Sequence, residues 1–285
     1  MPSIPPVLVF CDLDDTLFDV HAFSVDASAR RALNRLARQQ LPVVLCSSRT
    51  RAEIELIQQE LGISHPFVSE GGAAVFLPRG YFAFDCVVTT EVSGYQRVEF
   101  GKPYPEVVAV LHRFAGRLGV VVVGFSDMSV GDVAIDCDIP LLQARLAKLR
   151  EYSEMFRVVD SRPGAILRLS KALRGAGFIC TSRGRYHLLG ACHHDVGGHF
   201  IRSLYRRAFG QVPTVAFGDH GSAAPLLRHA DVPLVVQADD AGETRELLAT
   251  VPAARLIGAK SVGEWAEAIL EIANRAQGGL SVCSS

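Results

Sequence analysis

Val7-Leu-Val-Phe-Cys-Asp12-Leu-Asp14-Asp15-Thr16-Leu17 is the stretch on which the reading of the fold turns. Its first five residues form an unbroken apolar run, the mark of a strand buried on both faces. Two acids spaced i, i+2, Asp12 and Asp14, follow at once. In an open parallel sheet, ligands bind just beyond the carboxyl ends of the strands, and these acids are expected there. Alone, the cluster would read as an acidic turn; its surroundings argue for more.

Working outward, Ala29, Leu33, Leu36 and Ala37 recur at helical spacing, and Pro42–Cys46 is a second apolar run. Ile54, Ile57 and Leu61 mark a helix that Gly62 stops. Short strands are expected at Pro66–Ser69 and Ala73–Leu77. The last third repeats this grammar. Phe200, Leu204 and Ala208 line a helix, Thr214–Phe217 and Val232–Val236 read as strands, and Trp265, Ile269, Ile272 and Ala276 line a closing helix. Strands alternating with amphipathic helices imply an α/β, doubly wound parallel sheet of Rossmann-like type.

The middle reads differently. It has strand signals at Tyr95–Phe100, Val120–Phe125 and Met155–Val159, helices at Tyr104–Leu118 and Leu141–Leu149, and a hairpin, Phe178–Thr181 with Tyr186–Leu189, around Gly184. The expected organisation is a core of residues 1–86 and 190–285 with an inserted α/β domain at 87–189.

The carboxylate pair suits phosphoryl chemistry. Asp12 can attack phosphorus as a nucleophile, splitting one hard hydrolysis into two easier steps. Asp14 can protonate the leaving alcohol and later activate water. A Mg²⁺ ion prefers such hard oxygen ligands and offsets the charge that repels an anionic nucleophile. The run Val43–Cys46 ends in Ser47, whose hydroxyl, with Ser48, Arg49 and nearby backbone N–H groups at a helix start, can hold phosphate oxygens. The same serines could instead cap that helix. Val215-Ala216-Phe217-Gly218-Asp219 brings a third acid from another strand, completing a metal set of Asp12, Asp14 and Asp219.

These three motifs, in this order, resemble the signatures of the haloacid dehalogenase superfamily. Longer stretches resemble the mannosyl-3-phosphoglycerate phosphatase family. They are Leu45-Cys-Ser-Ser-Arg-Thr-Arg-Ala-Glu53, Pro66-Phe-Val-Ser-Glu-Gly-Gly-Ala-Ala-Val-Phe-Leu-Pro78, Gly124-Phe-Ser-Asp-Met-Ser-Val130, Leu146-Ala-Lys-Leu-Arg-Glu-Tyr-Ser-Glu154 and Tyr186-His-Leu-Leu-Gly190. The resemblance implies a haloacid dehalogenase core with the inserted domain as a cap. It also implies hydrolysis of a glycosyl-3-phosphoglycerate to phosphate and glycosylglycerate, a compatible solute. The substrate is a small phosphorylated sugar acid, so the cap should supply cations and hydrogen-bonding groups. Arg150 and Arg185 are the candidates for its anionic groups, with Lys148 as a further cation. Glu151 and Glu154 are candidates for sugar hydroxyls.

Three positions depart from the pattern. Where the family carries Asp-Lys-Gly-Lys, this chain has Asp195-Val196-Gly197-Gly198. Where it carries Ser-x-Asn-Asp after the third motif, this chain has His220-Gly221-Ser222-Ala223. Its Glu-Asn-Gly is here Glu70-Gly71-Gly72. Losing one preorganised charge-stabilising group costs roughly 10²–10³ in rate, small against the up to about 10²¹-fold acceleration of phosphomonoesterases. Activity is therefore expected to survive. A protonated histidine among His193, His194 and His199 could restore the charge, or Cys192, His193, His194 and Asp195 could bind zinc. The alternatives are a non-hydrolytic protein that binds a phosphorylated sugar acid as sensor or scaffold, and a phosphatase for another sugar phosphate.

Bulk composition bounds the rest. The chain has 285 residues, 49% of them hydrophobic, and Lys+Arg 29 nearly balances Asp+Glu 30. That balance argues against nucleic-acid or membrane-surface partners. No signal peptide is legible and the seven cysteines read as reduced thiols, so a cytoplasmic location is expected. Oligomeric state is not legible.

Overall fold

The computed structural model describes residues 4–13, 17–19, 24–25, 27–86, 90–159, 162–238, 240–259 and 262–282. In chain order, β1 (Leu8–Asp12) is followed by β2 (Phe18–Asp19), β3 (Ser24–Val25), α1 (Ala27–Arg38), β4 (Val43–Cys46), α2 (Arg51–Leu61), β5 (Phe67–Ser69), β6 (Ala74–Pro78), β7 (Thr90–Val92) and β8 (Tyr95–Glu99). Next come α3 (Tyr104–Leu118), β9 (Val122–Gly124), α4 (Val130–Cys137), α5 (Leu141–Ala147), β10 (Glu154–Val158), α6 (Ala165–Gly175), β11 (Ile179–Arg183) and β12 (Tyr186–Gly190). The last set is α7 (His194–Phe209), β13 (Thr214–Gly218), α8 (Ala224–Arg228), β14 (Val232–Gln237), α9 (Ala241–Thr250), β15 (Arg255–Ala259) and α10 (Val262–Val282).

The larger sheet runs β15-β14-β13-β1-β4-β5-β6-β8-β7. The six strands from β15 to β5 are parallel. Successive β1 residues point to opposite faces and both faces are dry, which is why the sequence there is apolar at every position. Val9 and Cys11 pack with Leu33 of α1, Ile54 of α2 and Trp265 of α10. Leu8 and Phe10 pack with Ile201 of α7, Leu227 of α8 and Leu247 of α9. Strand order reverses at β1: the chain moves through β4 to β5 on one side and through β13 to β15 on the other. A crevice at the carboxyl ends of the strands follows from that reversal.

The expected α/β doubly wound architecture is present, with one difference in detail. Tyr95–Phe100, read above with the middle segment, pairs instead with β6 and extends the larger sheet antiparallel. This ladder covers the backbone groups of β6, which would otherwise form an exposed edge, and it buries Val98 against the α7 side of the core. The smaller sheet, β11-β12-β10-β9, is antiparallel. Phe156 and Leu189 face α3 and α6, packing with Val107, Leu111, Leu169 and Leu173. The hairpin between β11 and β12 turns at Gly184, whose φ of 57° favours a residue without a Cβ. Helices α4, α6, α8 and α9 and strands β2, β3, β7 and β15 went unread in the sequence.

Where α2 meets β5, His65 Nδ1 lies 2.8 Å from Tyr81 Oη, and Tyr81 Oη lies 2.5 Å from Tyr205 Oη. Burial pushes the His65 imidazole from 6.5 down to about 4. The folded state therefore resists a proton that the unfolded chain takes up, so stability is complete above pH 6.5 and drains as pH falls toward 4. The expected loss over that window is about 3 kcal/mol. Urea unfolding of wild type and His65→Gln across pH 4–7 checks this: the variant's profile should be flatter by that amount.

Candidate active site

Asp12 is the last residue of β1 and is only 6% exposed. The register sets it beside Cys46 at the end of β4, and Leu13 N–H donates to the Cys46 carbonyl at 3.2 Å, which holds the chain as it leaves the strand. On the other side of β1, β13 ends at Gly218 and delivers Asp219, which is fully buried. Thus two carboxylates from opposite ends of the polypeptide meet at the point where strand order reverses.

Gly218 makes this approach feasible. A Cβ there would stand 2.6 Å from the Ala223 Cβ and 3.1 Å from the Asp12 Cβ. Gly218→Ala should therefore displace Asp12 or Ala223 and cost about 1–3 kcal/mol. The expected result is a lower melting temperature together with a larger fall in turnover than stability explains. A variant as active and as stable as wild type would show that this contact is slack.

Asp219 Oδ1 lies 2.8 Å from His220 Nδ1, and His220 Nε2 lies 3.2 Å from Glu243 Oε2 on α9. Ser222 Oγ donates to Asp12 Oδ2 at 3.2 Å. His220 and Ser222 stand where the resembling family differs; read as losses in the sequence, they bear directly on the two carboxylates. Ala223 is apolar and buried, packed in the α7–α9 side of the core. Burial, with the Asp12 charge added, raises the Cys46 thiol well above its ordinary range and keeps it protonated.

Asp14, Asp15 and Thr16 lie outside the described residues. Ser47 is fully buried; its Oγ accepts from Arg49 N–H at 3.1 Å and its N–H donates to Val68 O. Neither Ser47 nor Ser48 caps α2, because Thr50 does so in a reciprocal capping box with Glu53. Arg49 turns back along α2 to Glu53 Oε1 at 3.0 Å.

Asp12 and Ser48 form part of one wall of a cleft of about 740 Å³, with His220, Ser222, Glu243 and Glu246 beside them. The opposite wall is the outer face of the smaller sheet, Met155, Thr181, Tyr186 and Leu188, with Ser182 at its margin. Those cleft residues were not singled out in the sequence. Their signal was the period-2 alternation of β10 and β12, which turns Phe156 and Leu189 inward and Met155 and Leu188 toward the cleft.

The sequence candidates of the second unit lie elsewhere. Arg150 donates to Ser153 Oγ at 2.7 Å and to Ser48 O at 3.3 Å, and stands 3.9 Å from Glu70. Glu151 is held between Arg51 at 3.1 Å and Arg97 at 2.8 Å, both in the larger unit. Neither lines the cleft. Glu70 accepts from Glu151 N–H at 2.7 Å, Tyr152 N–H at 3.0 Å and Ser153 Oγ at 2.6 Å. This carboxylate therefore ties residues 150–153 to the end of β5, and its burial raises its pKa despite the Arg150 charge. Arg185 is exposed and bonds the Asp136 carbonyl. Lys148 bonds the carbonyls of Phe125 and Met128. Glu154 is buried and accepts from Ser126 N–H and Oγ at 2.9 and 2.8 Å.

Comparison with known proteins decides the lineage. Residues 9–91 match the model of haloacid dehalogenase-like hydrolases. Curated proteins named glucosyl-3-phosphoglycerate/mannosyl-3-phosphoglycerate phosphatase are similar over nearly the whole chain. The one from Methanococcoides burtonii is 34% identical, covering 93% of this chain and 96% of its own. The one from Persephonella marina is 32% identical, covering 96% and 99%. The chain belongs to the mannosyl-3-phosphoglycerate phosphatase family, within the haloacid dehalogenase superfamily. The fold of this phosphatase is also that of a solved phosphatase of the same superfamily from Bacteroides thetaiotaomicron, with a TM-score of 0.65 at 13% identity, covering 95% and 97% of the two chains. It is a phosphoric monoester hydrolase acting on a small phosphorylated substrate. No helix among its described residues is long and apolar enough to cross a membrane, and the six described cysteines form no disulfide.

Proposed function

We propose that this phosphatase hydrolyses a glycosyl-3-phosphoglycerate, most simply mannosyl-3-phosphoglycerate, with Mg²⁺ as its cofactor. One observation carries the reading: two buried carboxylates, Asp12 and Asp219, converge at the strand-order reversal, and Asp12 lines a cleft whose far wall is a second sheet. All-oxygen donors at a buried point suit a hard cation. Asp12 and Asp219 would hold it together with Asp14, and once bound it would offset the charge of the phosphoryl group.

The chain's own residues do the rest. An Asp12 oxygen attacks phosphorus, the bond to the glycerate oxygen breaks, and that oxygen takes a proton from Asp14. Asp14, now a carboxylate, takes a proton from water as the water oxygen attacks the aspartyl-phosphate, which frees phosphate and restores Asp12. Ser222 orients the Asp12 carboxylate through its hydrogen bond to Oδ2. His220 fixes Asp219 in the same way, with Glu243 behind it. Ser48, which lines the cleft, would face the phosphate, with Ser47 and Arg49 shaping the loop through the Arg49 N–H bond to Ser47 Oγ.

The unit built on the smaller sheet acts as the cap; of the division read from sequence, 87–189 inserted between 1–86 and 190–285, the strands β7 and β8 belong to the larger sheet, so the cap begins after Glu99. Thr181 offers its hydroxyl to the sugar across the cleft, and Glu243 and Glu246 offer acceptors; the Ser182 and Tyr186 hydroxyls are held by His187 and Asp136. Arg150 acts on the phosphate loop from behind, through the Ser48 carbonyl. Arg185, exposed and paired with Asp136, would have to leave that partner to meet an incoming anion.

Phosphate release from mannosyl- and glucosyl-3-phosphoglycerate, measured beside a panel of simple sugar phosphates, tests the assignment. The glycosyl-3-phosphoglycerates should show the highest kcat/KM. Equal or better turnover of a simple hexose phosphate would move the enzyme to another sugar phosphate, and tight binding without turnover would make it a sensor.

A further inference from the structure

A second group of ligating side chains sits apart from the Asp12 cleft. Asp195 and His199 are four residues apart on α7 and so share one face of that helix. His229 follows the last turn of α8. One ligand atom from each lies within 4.8 Å of the other two. Asp195 Oδ2 stands 3.2 Å from His229 Nε2. A tetrahedral ion with bonds of about 2.0–2.1 Å spaces its ligands about 3.3 Å apart, so this pair already has the required separation. The His199 and His229 rings lie 4.3 Å apart between centroids, inclined at 61°, and a small side-chain rotation brings the third ligand into place.

Two further observations point to an ion. Asp195 Oδ1 is buried and has no hydrogen-bond partner, and a carboxylate oxygen left so is costly unless something meets it. The nearby cation, Arg202, is already engaged: its guanidinium reaches both Asp231 oxygens at 2.9 Å and the His229 carbonyl at 2.8 Å. It thereby fixes the backbone of one ligand.

We propose that Asp195, His199 and His229 form a second metal site, for a borderline divalent transition ion such as Zn²⁺, which fastens α7 to α8. Two imidazoles and one carboxylate with an open position suit zinc, cobalt or nickel and not Mg²⁺, which demands oxygen ligands. This differs from the ligand set read in sequence, Cys192 with His193, His194 and Asp195: only Asp195 is retained, and its partners come from one helical turn on and from α8. The small pocket beside this triad shares no lining residue with the cleft that holds Asp12. The site is thus structural. Binding to the folded state alone stabilises it by mass action and leaves turnover with Mg²⁺ unchanged.

Chelator-stripped full-length protein, held in excess Mg²⁺ to fill the carboxylate site, is titrated with Zn²⁺ and, separately, with Co²⁺. The expected result is saturation at one ion per chain, a rise in Tm with Zn²⁺, and visible Co²⁺ absorption of a tetrahedral site. His199→Gln and His229→Gln should each lose all three while keeping the stripped protein's Tm and its Mg²⁺-supported phosphatase rate. Cys192→Ser should retain all three. Undiminished binding in both histidine variants, loss of binding in Cys192→Ser, or no saturable binding by wild type would each overturn the proposal.

Discussion

Asp12→Asn is expected to lower phosphate release by about 10⁴-fold or more, with no loss of folding. On the proposed chemistry the change would remove the attacking oxygen's charge and one of the cation's ligands together, and the steps that share them would fail as a unit. The amide has nearly the same volume, and Ser222 can still donate to its oxygen, as it does to Asp12 Oδ2 at 3.2 Å. In the absence of an ion, two buried carboxylates also repel each other, so neutralising one should hold Tm or raise it. A phosphate assay and a thermal melt on the same preparation check both halves. An active variant would show that Asp12 is not the nucleophile, and a collapsed one would show that its charge is needed for folding.

Glu70→Ala should produce the largest loss of stability. Glu70 accepts from the N–H groups of Glu151 and Tyr152 and from Ser153 Oγ, and it faces the Arg150 guanidinium. Truncation strips these donors at once and leaves Arg150, whose side chain is 3% exposed, as a buried charge without its carboxylate. Breaking such a pair from one side costs about 3–5 kcal/mol, a fall in Tm on the order of 10 °C. Because the same carboxylate ties residues 150–153 to the end of β5, KM should rise along with it. Guanidinium unfolding of wild type, Glu70→Ala and the double variant Glu70→Ala/Arg150→Met measures this. The double variant should recover part of the loss, since it removes the stranded charge. A Tm within a degree or two of wild type for Glu70→Ala would show that the two units are tied together elsewhere.

The parallel core was legible because burial on both faces leaves a plain trace. Val7–Cys11, Val43–Cys46 and Val215–Phe217 are apolar at every position, and the acids or hydroxyl that follow them fall where such strands end. The bounds at Tyr104–Leu118 and the Gly62 stop of α2 were equally plain, whereas the start of α2 was not: Ser47 and Ser48 were the cap candidates, and Thr50 caps it. What went unread has physical reasons. Helix α4 is short, and β15 is exposed at Arg255, Leu256 and Gly258, so neither carries a strong period. Tyr95–Glu99 reads as a strand, but nothing local says which sheet it will join; its partner, β6, is fixed by pairing across the whole unit.

The site divided along the same line. Asp12 and Asp219 were legible from strand ends. Arg150 and Glu151 were chosen for their chemistry, and side-chain chemistry alone does not tell a substrate contact from a fastening between units; their partners, Ser48, Glu70, Arg51 and Arg97, are about 50–100 residues away in sequence. The suggestion that His199 replaces a missing lysine charge also gives way. Burial, with the neighbouring His229 charge, lowers the His199 pKa, and its ring belongs to the α7–α8 triad beside a pocket that does not include Asp12. The triad itself was hidden, because His229 stands thirty-four positions from Asp195 and nothing in the sequence joins them.

Carboxylates carried to one point by β1 and β13 are proposed to grip a divalent cation needed for phosphoryl transfer. Initial rates of phosphate release from mannosyl-3-phosphoglycerate, measured on chelator-treated enzyme as Mg²⁺ is added back, test this. The expected result is a rate near zero without the ion, saturable recovery with it, and loss of that recovery in Asp219→Ala. Full activity in the presence of chelator, or recovery by Asp219→Ala equal to wild type, would show that the two carboxylates hold no essential ion.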